Sequence, residues 1–326
     1  MRVMFTLAHI SDPHLGPLPD PKLLQLFSKR ILGYLNWRRN RSRIMGGSYL
    51  EQLVEDMKAK APDHIAVTGD LVNIALPLEI SGARTWLEEI GEPENVSVVP
   101  GNHDAYVPGA VRRARAAWWP YMCGDGATAS VPAKETGSQA TFPYVRKRDG
   151  IALVGVSTGR ASAPWFATGR VGSKQSRRLR GLLEELGQDG FFRVVMLHHP
   201  PFRKATGWHK RLSDASRVRA VIKRTGAELI LHGHTHIDSF ETIEGPAGPV
   251  PVVGVPSATS APGGKKPAAR YNLFRIERTN EGWRCGMEEH GFAAPNEPVT
   301  LLKERQVEIP VERSADPGAG HQGGQL

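Results

Sequence analysis

Cysteine is nearly absent from this sequence, with Cys123 and Cys285 as the only two. They lie far apart and neither belongs to a Cys-x-x-Cys pair, so the sequence predicts neither a disulfide framework nor a thiolate zinc cluster. Apolar runs of the roughly 20 residues that span a bilayer are also lacking. Residues 1–10 carry one arginine and a short apolar run without a small-residue cleavage site, which favours a core strand over a signal peptide. We expect a cytoplasmic protein.

Acidic residues are outnumbered by basic ones, and the formal net charge is +9. Such a surface attracts phosphates, nucleic acid or acidic lipid headgroups. No zinc-finger spacing, aromatic RNA-recognition signature or helix-turn-helix pattern accompanies the charge, so nucleic acid is the less favoured partner. Hydrophobic residues make up 40% and charged residues 23% of the 326 residues, a balance that supports one globular domain of a size that α/β folds reach.

Short apolar, β-branched runs alternate with helix-like segments along most of the chain. This order predicts a layered α/β protein. The predicted strands are residues 3–10, 64–68, 96–99, 151–157, 192–197 and 228–231, followed by added antiparallel strands at 250–255 and 271–276. The predicted helices are residues 49–60, 79–90, 107–118, 174–186 and 213–225.

Almost every early strand ends in a short polar cluster. In open α/β sheets, ligand sites form beyond the carboxyl ends of the strands, so clusters that are scattered in sequence can converge there. The clusters are Ser11-Asp12-Pro13-His14, Gly69-Asp70, Gly101-Asn102-His103-Asp104, His198-His199-Pro200-Pro201 and Gly233-His234-Thr235-His236.

Each cluster taken alone has a simpler explanation. Asp12-x-His14 fits a polar strand end, Gly69-Asp70 fits a turn, and the cluster from Gly101 fits an Asx-turn with a helix cap. Two solvent-facing loop histidines would explain His234 and His236. The ordered set is better explained by a metal site, because carboxylate, amide and imidazole ligands recur at successive strand ends.

The spacing also indicates which side chains face such a site. On an extended strand end, Asp12 and His14 would point to one face, because side chains alternate along a strand. Asp70 has two carboxylate oxygens with which it could bridge two cations. Of the adjacent His198 and His199 only one should face the site, and we favour His199.

The complete set resembles the signature blocks of the calcineurin-like metallophosphoesterase superfamily, over residues 3–276. The resemblance implies a four-layer α/β/β/α sandwich with two mixed β-sheets and a metal site at the carboxyl ends of the strands. Carried over by position, Asp12, His14, Asp70 and His236 would hold one metal ion, while Asp70, Asn102, His199 and His234 would hold the second.

Two cations about 3.5 to 4 Å apart can share a hydroxide that attacks phosphorus. His103 would face the substrate and protonate the leaving oxygen as general acid. Asp104 would orient His103, although it could equally cap the following helix. The mixed nitrogen and oxygen ligands favour two divalent or mixed-valence transition-metal ions, namely Mn, Fe, Zn or Co.

The intact Gly-Asn-His-Asp block resembles the cyclic-nucleotide and glycerophosphodiester phosphodiesterases of the superfamily, so we expect a small phosphorylated substrate, in the first place a phosphodiester. Many lipid A pathway pyrophosphohydrolases of the superfamily have Arg at the position of His103, which makes that role less favoured here. A pyrophosphohydrolase acting on a lipid- or nucleotide-linked substrate stays an alternative, as do a nuclease and a non-catalytic metal-binding scaffold. The presence of His103 favours an enzyme over a scaffold.

Residues 17–47 form an insertion close to the first ligand pair. From Lys22 to Arg43 it interleaves apolar and basic residues without any acidic residue. The segment could pack on the domain, cover the site as a lid, or lie on an anionic membrane at the inner face. We place the catalytic domain at residues 1–293 and a tail at 294–326, mobile in its last part because that part is Gly-rich and polar.

Overall fold

The computed structural model describes residues 4–37, 47–125 and 142–310. These residues form two six-stranded β-sheets and seven α-helices. The strands are β1 Met4–Ile10, β2 His64–Val67, β3 Val96–Val98, β4 Tyr144–Arg148, β5 Ile151–Gly155, β6 Phe192–Met196, β7 Leu229–His232, β8 Ser239–Glu244, β9 Pro249–Gly254, β10 Arg270–Thr279, β11 Gly282–Phe292 and β12 Val299–Val307. The helices are α1 Leu23–Leu26, α2 Arg30–Asn36, α3 Gly47–Ala59, α4 Pro77–Ile90, α5 Ala110–Ala117, α6 Ser173–Gln188 and α7 Ala215–Thr225.

Both sheets mix parallel and antiparallel strands. The first has the order β12-β11-β10-β1-β2-β3, in which β1, β2 and β3 are parallel and β10 to β12 are antiparallel. The second has the order β4-β5-β6-β7-β9-β8, with a parallel centre and an antiparallel strand at each edge. The carboxyl ends of β1, β2 and β3, and those of β6 and β7, therefore emerge from parallel strands, as a convergent site requires.

Strand β5 shows how the layers are built, because its side chains alternate between two cores. Ile151 and Leu153 belong to the core between the two sheets, together with residues of β1, β2 and β10. Ala152 and Val154 belong to a second core, in which α6 and α7 cover the outer face of the second sheet. Burial on both faces explains why this strand is a continuous apolar run rather than an alternating one.

The predicted α/β fold with two mixed sheets is confirmed, and each predicted strand and helix corresponds to an observed one within a few residues. The boundary predicted at residue 293 differs from the structure, because β12 lies beyond it and pairs with β11. This strand forms the edge of its sheet and most of its side chains are exposed, so its sequence carries no apolar alternation. The part of the predicted tail at 311–326 lies outside the described residues.

The predicted insertion contains α1 and α2, and its residues 38–46 lie outside the described part of the chain. Tyr34 and Trp37 pack against a small apolar cluster formed by Leu18, Ile74 and Leu76. At Gly33 a Cβ atom would collide with the side chains of Ile74 and Tyr106, so glycine permits α2 to lie close to the domain. Among the described residues, no helix is long and apolar enough to cross a membrane.

Candidate metal centre

The polar clusters that follow the strands converge in the structure. Within the described residues, four groups of side chains bring three possible ligand atoms within 4.8 Å of one another, and the groups share members. They are Asp12, His14 and His236; Asp12, Asp70 and His198; His14, Asp70 and His103; and His198, His199 and His234.

Left-handed backbone conformations turn many of these side chains towards each other. Asp12 and His14 have φ angles of 52° and 39°, and Asp70, His234 and His236 have φ angles of 55°, 68° and 56°. Such angles are uncommon for residues other than glycine, and they cluster at functional sites where the surroundings hold them. The first strand ends at Ile10, so Asp12 and His14 meet through this turned backbone and not through strand alternation.

Two glycines permit the loops after β2 and β3 to approach each other. Gly69 has a φ angle of 94°, and a Cβ atom there would lie 2.6 Å from the backbone nitrogen of Gly101. A Cβ atom at Gly101 would collide with the carboxylate of Asp70. Both positions therefore require glycine in order to bring Asp70 beside the loop that carries Asn102.

The first group of ligands surrounds the carboxylate of Asp12. Nε2 of His236 lies 3.0 Å from Oδ1 of Asp12, and Nε2 of His14 lies 3.8 Å from the same oxygen. The two imidazole nitrogens are 3.4 Å apart. Nδ1 of His14 lies 3.2 Å from the backbone carbonyl of Val72, which orients the ring so that Nε2 faces the carboxylate.

The second group surrounds the carboxylate of Asp70. Nε2 of His198 lies 3.3 Å from Oδ2 of Asp70 and 3.2 Å from the amide oxygen of Asn102. Nδ1 of the same ring lies 2.6 Å from the carbonyl of Thr68. Because Asp70 groups with His14 on one side and with His198 on the other, it lies between the two sets of ligands.

His198 and His199 have different surroundings. The prediction from alternation favoured His199, but both of its ring nitrogens have hydrogen-bonding neighbours outside the cluster: Nδ1 lies 2.8 Å from the hydroxyl of Thr158, and Nε2 lies 3.1 Å from the carbonyl of Ala167. His198 occupies the position next to Asp70 and Asn102. The strand ends at Met196, so regular alternation does not extend to these two residues.

His234 completes the second group. Its Nε2 lies 2.7 Å from the carbonyl of Lys210, which leaves Nδ1 for the cluster. Its ring centroid lies 5.1 Å from that of His198 and 4.3 Å from that of His199. Its backbone N–H donates to Oδ2 of Asp12 at 2.9 Å, which links the loop after β7 to the loop after β1.

His103 stands beside both groups. Its backbone N–H donates to Oδ1 of Asp70 at 2.6 Å, and its Nδ1 lies against the carbonyl of Asn73. The ring stacks on Tyr106 with centroids 5.5 Å apart and meets His14 edge to face at 4.7 Å. These contacts fix the ring with Nδ1 directed at a carbonyl.

Asp104 is fully buried, and its carboxylate binds backbone N–H groups. Its carboxylate accepts hydrogen bonds from the N–H groups of Gly101, Asp70 and Leu71 at 2.7, 2.8 and 2.9 Å, and from Val72 at 3.3 Å. The structure directs Nδ1 of His103 to Asn73. Asp104 therefore holds the loop after β2 against the loop after β3. This differs from the predicted role, in which Asp104 would orient His103.

Charges within the site keep the carboxylates of Asp12 and Asp70 ionised, whereas burial and the charge of Asp70 raise the pKa of Asp104 to about 7. Burial raises the pKa of Asp12, but attraction to His236 and His198 outweighs it and lowers the pKa. The pKa of Asp70 shifts in the same direction. Burial raises it, but attraction to His198 and His103 outweighs burial and brings the pKa well below its usual range. For His198, burial lowers the pKa, yet the charges of Asp70 and Asp12 raise it to about 9.

The adjacent histidine shifts in the other direction. Burial and the charge of His198 lower the pKa of His199 to about 3. The pKa of His234 also lies well below its ordinary value, because of burial and then the charges of His199 and His198. Neutral imidazole and ionised carboxylate are the forms in which these side chains bind cations. The buried donors therefore fit two first-row transition-metal ions.

Several residues of the site had no separate signal in the sequence. Thr158, which lies near His199, follows β5 and belongs to a polar strand end like the others, so the same reasoning could have included it. Ser257 donates to the carbonyl of Asp12 at 2.7 Å, and the amide of Asn73 donates to the carbonyls of His14 and Leu15. These are single polar residues in loops, which a sequence pattern does not distinguish.

The fold and the site agree with the comparisons to known proteins. The family model described as calcineurin-like phosphoesterase matches residues 5–238. A dimetal phosphatase from Danio rerio is similar in structure, with a TM-score of 0.56 and 11% identity over 94% of this chain and 100% of that one. A purple acid phosphatase from yellow lupin (Lupinus luteus) seeds gives a TM-score of 0.57 and 11% identity, over 94% of this chain and 54% of the plant chain.

At these identities the structural matches establish a shared fold alone. A search of the curated proteins found no match. The family model, which covers more than half of the chain, establishes membership. The chain belongs to the calcineurin-like phosphoesterase family and is a metal-dependent phosphoester hydrolase with a small phosphorylated substrate.

Proposed function

We propose that this protein hydrolyses a phosphodiester at a dinuclear centre of transition-metal ions. The observation that carries the proposal is the convergence of buried carboxylate, amide and imidazole ligands around Asp70, with His103 beside them. Asp12, His14, Asp70 and His236 would hold one ion. Asp70, Asn102, His198 and His234 would hold the other, with His198 in the position first assigned to His199.

Two ions of Mn, Fe, Zn or Co in these positions would activate a water molecule and neutralise charge on the phosphoryl group. The chain's residues supply the remaining functions. The carbonyls of Val72, Thr68 and Lys210 hold His14, His198 and His234 in the orientations that direct their other nitrogens inward. Asp104 fixes the loop on which Asp70 is placed.

His103 is proposed as the general acid. Its Nδ1 donates to the carbonyl of Asn73, so a proton on Nε2 can be delivered to the leaving oxygen while the ring stays in place. The stacked ring of Tyr106 and the edge contact with His14 prevent rotation away from the site. Such a group assists most when the leaving group is a poor one, such as an alcohol.

Two cavities at the site support a diester over a monoester. One of about 300 Å³ is lined by Asn102, His103 and Tyr106. The other, of about 690 Å³, begins at His14 and extends along Leu50 and Val54. A phosphodiester has two ester substituents to accommodate, and a monoester has one. Space in two cavities, one beside His14 and one beside His103, favours the diester.

The experiment that tests this proposal is hydrolysis of bis-p-nitrophenyl phosphate against p-nitrophenyl phosphate. Protein stripped of metal is supplied separately with Mn, Fe, Zn, Co or Mg. We expect turnover of the diester to return with a transition-metal ion and to exceed that of the monoester. Preference for the monoester would replace the proposal with a phosphatase.

Failure to hydrolyse either substrate with both metals bound would also contradict it. In that case the lipid- or nucleotide-linked pyrophosphate becomes the candidate to assay, because both artificial substrates lack the anhydride bond. Asp189→Ala, a change at an exposed carboxylate outside the site, serves as the control for handling and metal stripping.

A further inference from the structure

The first two helices present their apolar side chains to solvent. Leu23, Leu24 and Phe27 are 80%, 84% and 84% exposed, and Ile31 and Leu35 of the same segment are 47% and 42% exposed. Scattered exposed apolar residues are ordinary, but a contiguous set marks an interaction surface. The exposed apolar side chains of α1 and α2 therefore indicate a surface that binds a partner.

Two charged residues of the same segment, Lys29 and Arg30, point the other way. Arg30 is buried and donates to the carbonyls of Ile74 and Ala75 at 2.9 and 2.5 Å. Lys29 donates to the carbonyl of Phe166 at 2.7 Å and to the hydroxyl of Ser162 at 3.1 Å. In an ordinary surface helix the apolar face packs inward and the cations are solvated. Here Lys29 and Arg30 bind the segment to the domain, and the apolar side chains of the segment are exposed to solvent.

Two exposed tryptophans extend this surface on neighbouring loops. Trp165 is 77% exposed and Trp208 is 67% exposed. The ring of Phe166, whose carbonyl binds Lys29, meets Trp208 edge to face with centroids 5.2 Å apart. The apolar rim is therefore defined as Leu23, Leu24, Phe27, Trp165 and Trp208.

The apolar rim adjoins a cavity of the metal centre through Trp165. Lys29, Trp165 and Phe166 line the same cavity as Asn102 and His103. The loops that carry the tryptophans also reach the metal centre. The carbonyl of Lys210 lies 2.7 Å from Nε2 of the candidate ligand His234, and the carbonyl of Ala167 lies 3.1 Å from Nε2 of the adjacent His199.

The three segments that carry the apolar rim have basic but no acidic side chains. Residues 21–37, 158–174 and 199–213 include no aspartate or glutamate. The exposed side chains in these segments include a set of cations, namely Lys22, Arg160, Arg170, Lys174, Arg203, Lys204, Lys210 and Arg211. Apolar side chains with tryptophan among basic residues complement an anionic lipid surface, where both the apolar and the electrostatic contributions are favourable.

We propose that the apolar rim docks on an anionic lipid bilayer and directs the metal centre at phosphoester headgroups in that bilayer. The choice of headgroup as substrate rests on the proposed function, whereas docking does not. A second copy of the chain is the less suitable occupant, because a symmetric pair would place the two basic sets against each other. Docking would also place the cavity that contains His103 next to the lipid surface.

Sedimentation with vesicles tests the docking. The protein should sediment with vesicles of phosphatidylcholine and phosphatidylglycerol in equal proportion, bind weakly to phosphatidylcholine alone, and be released by salt. The double change Leu24→Glu and Phe27→Glu should weaken binding to the mixed vesicles by more than about tenfold, because each large apolar side chain withdrawn from water contributes roughly that factor. Leu301→Glu, at a 51% exposed leucine on β12, should leave the binding unchanged.

The remaining outcomes separate the two proposals. Circular dichroism and melting temperature establish that both variants fold. Vesicle binding without hydrolysis of bis-p-nitrophenyl phosphate would overturn the proposed function and leave docking intact. Absence of vesicle binding, or equal binding by the double variant, would overturn docking. Light scattering shows whether the protein is a dimer. A wild-type dimer that does not bind vesicles, together with a monomeric double variant, would assign the apolar rim to a second copy and overturn docking as well.

Discussion

The carboxylate of Asp104 accepts a hydrogen bond from the backbone N–H of Asp70 at 2.8 Å. The same carboxylate binds Gly101 in its own loop, so one buried side chain fixes the candidate ligand Asp70 relative to Asn102. A carboxylate suits this position because it only accepts hydrogen bonds, and all of its partners here are donors. We therefore expect metal binding to depend on a residue that the structure does not group with the candidate ligands.

Replacing Asp104 by asparagine tests this dependence. Asp104→Asn keeps the shape but turns an amide NH2 towards backbone N–H groups, so at least one buried donor loses its acceptor. We expect a loss of about 1 to 3 kcal/mol in the free energy of unfolding, together with weaker metal binding. Chemical denaturation and metal analysis measure the two effects. Asp125→Asn, at an exposed carboxylate that accepts from the N–H of Lys147, should cost less than about 1 kcal/mol.

Asp70→Ala removes the ligand that lies between the two groups. We expect the variant to bind fewer metal ions than the wild-type protein and to lose at least one of them on dialysis. Mass-spectrometric metal analysis after equilibration measures the content, with Asp189→Ala as a surface control. Full retention of two ions by Asp70→Ala would contradict the bridging position.

The adjacent histidines offer a matched pair of variants. His198→Ala should reduce metal content, because Nε2 of His198 lies next to Asp70 and Asn102. His199→Ala should retain the metals and instead loosen the loop that contains Ala167 and Thr158. Metal analysis and limited proteolysis distinguish the two effects. The reverse result would restore the assignment made from sequence.

Sequence reasoning located the site but not its internal geometry. The order of polar strand ends sufficed to predict where Asp12, Asp70 and His236 would meet, because parallel strands bring their carboxyl ends to one edge. The choice of His199 over His198 rested on alternation, which ceases at Met196, and the structure places His198 next to Asp70 and Asn102. The contacts of Asp104 could not be predicted, since three of them are with backbone groups more than 30 residues earlier.

The insertion shows a similar limit. Its interleaved Lys, Arg, Leu and Phe residues fit three arrangements, and composition does not indicate which side faces the domain. Only tertiary contacts show that Arg30 points inward and Phe27 outward. Strand β12 was missed for a related reason, because an exposed edge strand carries little of the apolar signal from which strands are predicted.

The stability of the metal-free protein should depend on pH through His198. Its pKa is raised from 6.5 to about 9 in the folded chain, so the stabilisation is fully present below pH 6.5 and is lost as the pH rises towards 9. We expect the melting temperature of stripped protein to fall across this window. Metal-loaded protein requires a neutral imidazole, so its apparent metal affinity should rise over the same range. A melting temperature of the stripped protein that stays constant from pH 7 to 9 would contradict the interpretation.

His103→Gln tests proton donation separately from metal binding. The variant should keep both metal ions, because His103 is beside the proposed ligands and not among them. On a glycerophosphodiester, whose leaving group is an alcohol, we expect kcat to fall by about 10² to 10⁴. On bis-p-nitrophenyl phosphate the decrease should be much smaller, since p-nitrophenolate leaves without a proton. Equal decreases on both substrates would assign His103 to charge stabilisation instead of proton transfer, and unchanged rates on both would remove it from the mechanism.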